Sequence, residues 1–243
     1  AGNSAFATIV MAGFFPIFFK TYWSSGTEVT VSTAQLGIAN AAAGLVIALL
    51  APLLGAVADR GQAKKSFLFF FTCLGASGTA LLVLVPQGCW HYAAAWFIAG
   101  TLGFSGANIF YDSLLPSVAP KKNVHQVSSL GFALGYLGGG LIFALCILLS
   151  AKPELINISR EAAIKGSFLI AAGWWLLLTI PLLLFVGEPQ QPVPHGYYQN
   201  IREGLSSLLH TFKQLRRMRP VWLFLLAYWF YIDGVDTVIR MAL

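Results

Sequence analysis

The sequence predicts an all-α integral membrane protein. Apolar residues fill 57% of its 243 positions and charged residues only 10%, against about 25% charged in a soluble domain. Such a chain has too few polar side chains to face water on every side, and its mean hydropathy is +0.73. The apolar residues also form continuous runs, not the alternating pattern of a membrane barrel. The net charge of +6 is confined to short segments between those runs, which reads as membrane orientation and not as nucleic-acid binding.

A spanning helix needs about 20 apolar residues, and the first such run covers residues 3–22. It begins Asn3-Ser4-Ala5-Phe6, where two polar side chains are placed to face a central cavity. The second run covers residues 34–58. There Asn40 sits beside a small-residue face of Gly37, Ala41, Gly44 and Ala48, a pattern that suggests tight packing. Pro16 and Pro52 can bend these two helices. The second run ends in Gly55-Ala-Val-Ala-Asp59-Arg60-Gly61-Gln-Ala-Lys64-Lys65. This tight, basic, glycine-bearing turn is how a membrane chain reverses on its cytoplasmic side.

The third run covers residues 66–85 and the fourth residues 92–115. Thr101, Ser105, Asn108 and Asp112 recur along the fourth at helical steps, so they share one polar stripe. The stripe is either a water-filled path with Asp112 near its cytoplasmic end, or a set of interhelical hydrogen bonds with Asp112 among the headgroups. The fifth run, residues 127–150, carries Gly131, Gly135 and Gly139 in a smooth stripe suited to close packing and compatible with flexing. The sixth covers residues 163–186.

The long connection after it opens with Glu188-Pro-Gln-Gln-Pro-Val-Pro. Ile201, Leu205, Leu208, Phe212 and Leu215 then mark one apolar helix face, with Arg202, Lys213, Arg216 and Arg217 around it. Such a helix is expected to lie in the cytoplasmic headgroup layer, or to bind a partner. In the seventh run, residues 221–243, Asp233, Asp236 and Arg240 share a face. Asp236 and Arg240 can pair, leaving Asp233 as a spare acid for proton coupling or for a cationic group. The alternative is a structural network against further helices. The expected organisation is a six-helix bundle over residues 1–187, a linker over 188–220 and a seventh membrane helix over 221–243.

Loop charge sets the orientation. One side carries Arg60, Lys64, Lys65, Lys121, Lys122, Arg202, Lys213, Arg216, Arg217 and Arg219; the other carries Lys20, Lys152, Arg160 and Lys165. The richer side is expected in the cytoplasm. The chain reads as cut at both ends, because it lacks an initiating Met and stops inside an apolar run.

No cofactor or metal site is expected. Cys73, Cys89 and Cys146 form no ligand cluster, and there is no phosphate-cradling loop, HExxH or dinucleotide fingerprint. Gly103-Phe104-Ser105-Gly106 matches the GxSG pattern of rhomboid proteases, but that serine needs a histidine base in the membrane. His91, His125, His195 and His210 all fall in loops or the linker, so no enzyme is expected.

The turn Gly55-x-x-x-Asp59-Arg60-Gly61…Lys64-Lys65 resembles the signature loop of the major facilitator superfamily, with one residue missing between the base and the glycine. Gly131, Gly135, Gly139 and Gly140 resemble that superfamily's antiporter motif, with Tyr136 in place of its proline and Lys122 in place of an earlier glycine. Asn3-Ser4-Ala5-Phe6, Ala58-Asp59-Arg60-Gly61, Tyr111-Asp112-Ser113-Leu114-Leu115-Pro116, Gly135-Tyr136-x-Gly138-Gly139 and Asp233-Gly234-Val235-x-Thr237 occur in one order along the chain. Together they resemble the UMF1 branch, relatives of the yeast vacuolar amino-acid effluxer of the autophagy pathway.

The resemblance implies a major facilitator-type six-helix bundle plus a seventh transmembrane helix, in an incomplete chain whose C-terminal bundle is missing. It implies a gating loop of Gly55, Asp59, Arg60, Gly61, Lys64 and Lys65, and a path lined by the first, fourth and seventh helices. The candidate path residues are Asn3, Ser4, Thr101, Ser105, Asn108, Asp112, Asp233, Asp236 and Arg240 on those helices, with Asn40 of the second run and Tyr136 of the fifth beside them. The expected function is secondary transport of a small solute, with amino-acid efflux the suggested chemistry and a proton the suggested coupling ion. The competing expectation is a non-transporting scaffold or receptor whose basic linker recruits a partner. A bacterial inner membrane is the expected location, with a vacuolar membrane the alternative.

Overall fold

The computed structural model describes residues 2–60, 63–119, 122–188 and 218–241, and those residues hold helices and turns without a strand. Six helices are long and apolar enough to cross a membrane: α1 Gly2–Trp23, α2 Val29–Arg60, α3 Lys64–Leu81 with a 3-10 extension through Leu84, α4 Trp90–Val118, α5 Val124–Ala151 and α6 Arg160–Phe185. The chain is therefore an all-α, multi-pass membrane protein. A seventh helix, α7 Arg219–Met241, also forms. It carries Arg219, Asp233, Asp236 and Arg240 and lies outside that group of six. The expected linker helix, at 201–217, falls outside the described residues.

Two hydrogen bonds fix the up-and-down topology. Lys64 Nζ, at the start of α3, donates to the Ser113 carbonyl near the end of α4 (3.2 Å), and Lys165 Nζ, near the start of α6, donates to Tyr22 Oη at the end of α1 (3.1 Å). Lys165 also pairs with Glu161 at 3.0 Å. The bundle thus has a Lys64 end and a Tyr22 end.

α1 is the mast. Its most apolar stretch is 61% buried, against 17% for α2 and for α5. Phe6, Phe15, Phe19 and Trp23 are all buried. Phe15 stacks on Phe97 of α4 with 4.0 Å between ring centres, and Trp23 stacks on Phe168 of α6. Stacks of this kind add to area burial and fix the register of neighbouring helices. The mast is also unevenly wound. Phe6–Phe14 and Phe19–Trp23 have the wider π pitch, separated by an α turn that contains Pro16. Proline has no N–H to donate, so a change of winding there leaves fewer broken bonds.

The tightest crossing joins α3 and α4. A Cβ placed on Gly103 would stand 2.3 Å from the Gly75 nitrogen, and one on Gly78 would stand 2.8 Å from the Gly100 nitrogen. Only glycine permits backbones this close. Gly103 and Gly106, the glycines of the protease-like pattern, therefore serve packing, since Gly106 lies under the Phe71 ring. The small-residue face expected to pack on α2 is corrected here. Ala41 and Ala48 are exposed and Gly44 faces open space, whereas Leu36, Ala39 and Ala43 are buried. α2 buries the neighbouring stripe because its principal partner is α4.

Candidate functional site

α4 runs close against α3 and diverges from α5, and the gap opens at the Lys64 end. Asn3, Ser4 and Thr8 of α1, Asn108, Tyr111 and Asp112 of α4, and Ser128 and Tyr136 of α5 line a cleft of about 340 Å³ there. Phe104 and Phe132 supply apolar wall. Asp112 stands about six residues, or roughly 9 Å of helical rise, inside the α4 end at Val118.

Local geometry explains why these groups meet. Asn3 Nδ2 donates to Asn108 Oδ1, joining the first turn of α1 to α4 across the cleft floor. Thr8 Oγ1 returns to the Ser4 carbonyl at 3.0 Å, which satisfies the hydroxyl within its own helix. Behind them α1 lies against α5 at Gly139, where an added Cβ would come 3.0 Å from Ser4 Cβ. Nearer the mouth, a Cβ on Gly131 would sit 3.5 Å from Tyr111 Oη, an ordinary contact. The cleft is narrow at the back and open at the front.

Among the residues expected along a path, the structure brings Asn3, Ser4, Asn108, Asp112 and Tyr136 together. Thr101 is buried and its hydroxyl bonds the Phe97 carbonyl at 2.8 Å. Ser105 borders a separate small cavity with Ile47, Leu50 and Ile109, which no histidine lines. Asn40 Nδ2 returns to the Leu36 carbonyl, and its Oδ1 is buried without a partner among the described residues. The α4 stripe thus contributes only its last two members, because packing covers the same face deeper in the bundle. Asp233 is exposed on α7 and does not line the cleft. The side chains of Asp236 and Arg240 lie outside the described residues.

Thr8 and Ser128 were not singled out by sequence, and Tyr111 entered only as part of the family-like motif around Asp112. Tyr111 had a signal in its adjacency to Asp112, and Ser128 in its position one turn into α5.

At the turn after α2, Asp59 is exposed and Gly55 faces open space. The Arg60 side chain and Gly61 lie outside the described residues. Lys64 is engaged twice: its backbone N–H donates to the Glu188 carboxylate, and its ammonium reaches the Ser113 carbonyl. A carboxylate at the start of α3 and a cation near the end of α4 both complement helix dipoles. Glu188, read from sequence only as the opening of the linker, ties the exit of α6 to this turn. Lys65 is half-buried beside it.

Comparison with known proteins places these features in context. The family described as "Vacuole effluxer Atg22 like" matches residues 1–243. The chain is 39% identical to the uncharacterized MFS-type transporter YxiO of Bacillus subtilis, over 99% of this chain and 56% of that protein. It is 23% identical to autophagy-related protein 22 of Yarrowia lipolytica, over 74% of this chain and 43% of that protein. A similar match, 24% identical, is to autophagy-related protein 22 of Coccidioides immitis, over 80% of this chain and 42% of that protein. The chain thus spans about half the length of these relatives. No solved structure matches.

Proposed function

The chain belongs to the Atg22-like vacuole effluxer family, and from that premise we propose that it is the N-terminal part of a secondary transporter that moves a small solute by alternating access. Residues 1–187 form one bundle, 188–220 a linker, and 221–243 open a second bundle that closes over the cleft. Amino acids are the solute class we put forward, on the resemblance to the yeast vacuolar amino-acid effluxer. The protein acts without covalent chemistry on its substrate.

One observation carries this reading: an aqueous-sized cleft holds a carboxylate, two amides and several hydroxyls on helices that are otherwise apolar. Polar groups at membrane depth are expensive and are retained where they meet a ligand or water. The basic turn, with Lys64 clasped to α4 and Glu188, serves as the gating loop. It holds one state of the cycle and releases in the other, and ligand binding shifts the balance between them. Gly131, Gly135 and Gly139 give α5 a smooth face that moves against its neighbours during that exchange, with Gly139 set against α1 and Gly131 toward Tyr111 of α4.

By loop charge the Lys64 end faces the cytoplasm, so the cleft is open inward. A bacterial cytoplasmic (inner) membrane is in keeping with the Bacillus subtilis relative, and a vacuolar membrane with the fungal ones. Asp233, away from the cleft, is the candidate for proton linkage. Flux of radiolabelled amino acids into liposomes bearing the full-length protein tests the proposal. Solute accumulation that Asp233→Asn uncouples from the pH gradient, with folding intact, is the expected result. Absence of flux for every amino acid, with or without a gradient, would reject it.

A further inference from the structure

The geometry points to Asp112 as the anchor for an ammonium group, making this half of the binding site selective for amines whether or not they carry a carboxylate. The inference rests on reading the cleft as the solute site. Among the described residues, Asp112 is the one carboxylate in the cleft lining, and no lysine, arginine or histidine joins it there. Lys64, at this end of the bundle, donates its ammonium to the Ser113 carbonyl. The remaining polar lining is made of amides and hydroxyls, led by Asn3, Asn108 and Tyr111. Asn3 and Asn108 already bond each other through one donor and one acceptor, leaving the Asn3 Oδ1 as a further acceptor toward a donor-rich head.

An ammonium carries three donors and no acceptor. A carboxylate together with amide and hydroxyl oxygens suits it, and charge-assisted hydrogen bonds are the strong ones. Tyr111, Tyr136, Phe104 and Phe132 line the same space, and aromatic rings attract a desolvated cation that reaches their faces. A solute carboxylate would meet the opposite situation, since Asp112 repels it and nothing cationic in this cleft offsets the repulsion. Its partner has to come from outside these helices or from water.

Three ligands with one shared isobutyl tail separate the possibilities: leucine, isoamylamine, which lacks the carboxylate, and 4-methylpentanoate, which lacks the ammonium. The readout is the melting midpoint of the full-length protein in detergent as each is titrated. Leucine and isoamylamine should both raise the midpoint, and 4-methylpentanoate should not. Asp112→Asn should weaken the isoamylamine response about tenfold or more, and Asp112→Glu should restore part of it. Stabilisation by 4-methylpentanoate equal to that by isoamylamine in the unmodified protein would overturn the inference without any variant. So would an isoamylamine response that survives Asp112→Asn. Amine binding without liposome flux would instead count against the transport reading and leave the ammonium site standing.

Discussion

α4 meets its two neighbours in opposite ways. Against α3 it closes to backbone contact, with no room for a methyl group at Gly103. Against α5 it leaves a cleft wide enough for a small solute, and Gly131 on the far wall has space for a side-chain carbon. Both faces belong to one helix, so the tight crossing holds Asn108 and Asp112 in place beside the open side. Glycine does unlike work on the two sides: at the crossing it is a steric necessity, and at the cleft it is spare volume.

The contrast is sharpest in a pair of alanine substitutions. Gly103→Ala forces α3 and α4 apart and should lower stability by about 3 kcal/mol, or prevent folding, as read by thermal unfolding in detergent. Asn108→Leu, which removes the amide joining α4 to α1, should cost about 1–2 kcal/mol and also weaken solute binding, measured by titration against the same unfolding midpoint. Glu188→Gln, which keeps an acceptor but removes the charge at the start of α3, should cost about 0.3–1 kcal/mol. A larger response to lowered salt in the unmodified protein than in the variant would mark that charge. Gly131→Ala comes last: its new carbon meets only Tyr111 Oη, so stability should stay within about 0.5 kcal/mol of the original. A loss at Gly131 as large as that at Gly103 would erase the distinction between the two sides.

How much of this was legible beforehand follows the same line. The run lengths placed the six spanning helices within a few residues of where they form, since an apolar run of helical length has few other solutions in lipid. Asn3 and Ser4 at the start of α1, and Asn108 and Asp112 on the α4 stripe, stood out as polar groups on apolar helices, and all four line one cleft; the stripe alone left a path and interhelical bonding equally open. The packing was read less well. Among the described residues, Gly75, Gly78, Gly100 and Gly103 form the closest crossing, whereas Gly44, in the small-residue face of α2, faces open space. Small residues permit close approach, but sequence alone does not say which helix arrives to use it.

Glu188 shows the same limit from the polar side. It stands 124 positions from Lys64, and only the return of α6 to the Lys64 end brings its carboxylate to the start of α3.

What the chain determined by itself is its solvent, its secondary structure and the polar residues that need an explanation. These follow from transfer energies and helical periodicity, which act locally and can be read along a line. Tertiary structure alone decided which polar residues share a cavity and which satisfy themselves within a helix, as Thr101 does with Phe97. It also decided that α3 would close against α4 while α5 stood away. The physical reason is that helix contacts in lipid depend on mutual shape, a property of two surfaces brought together and not of either sequence alone.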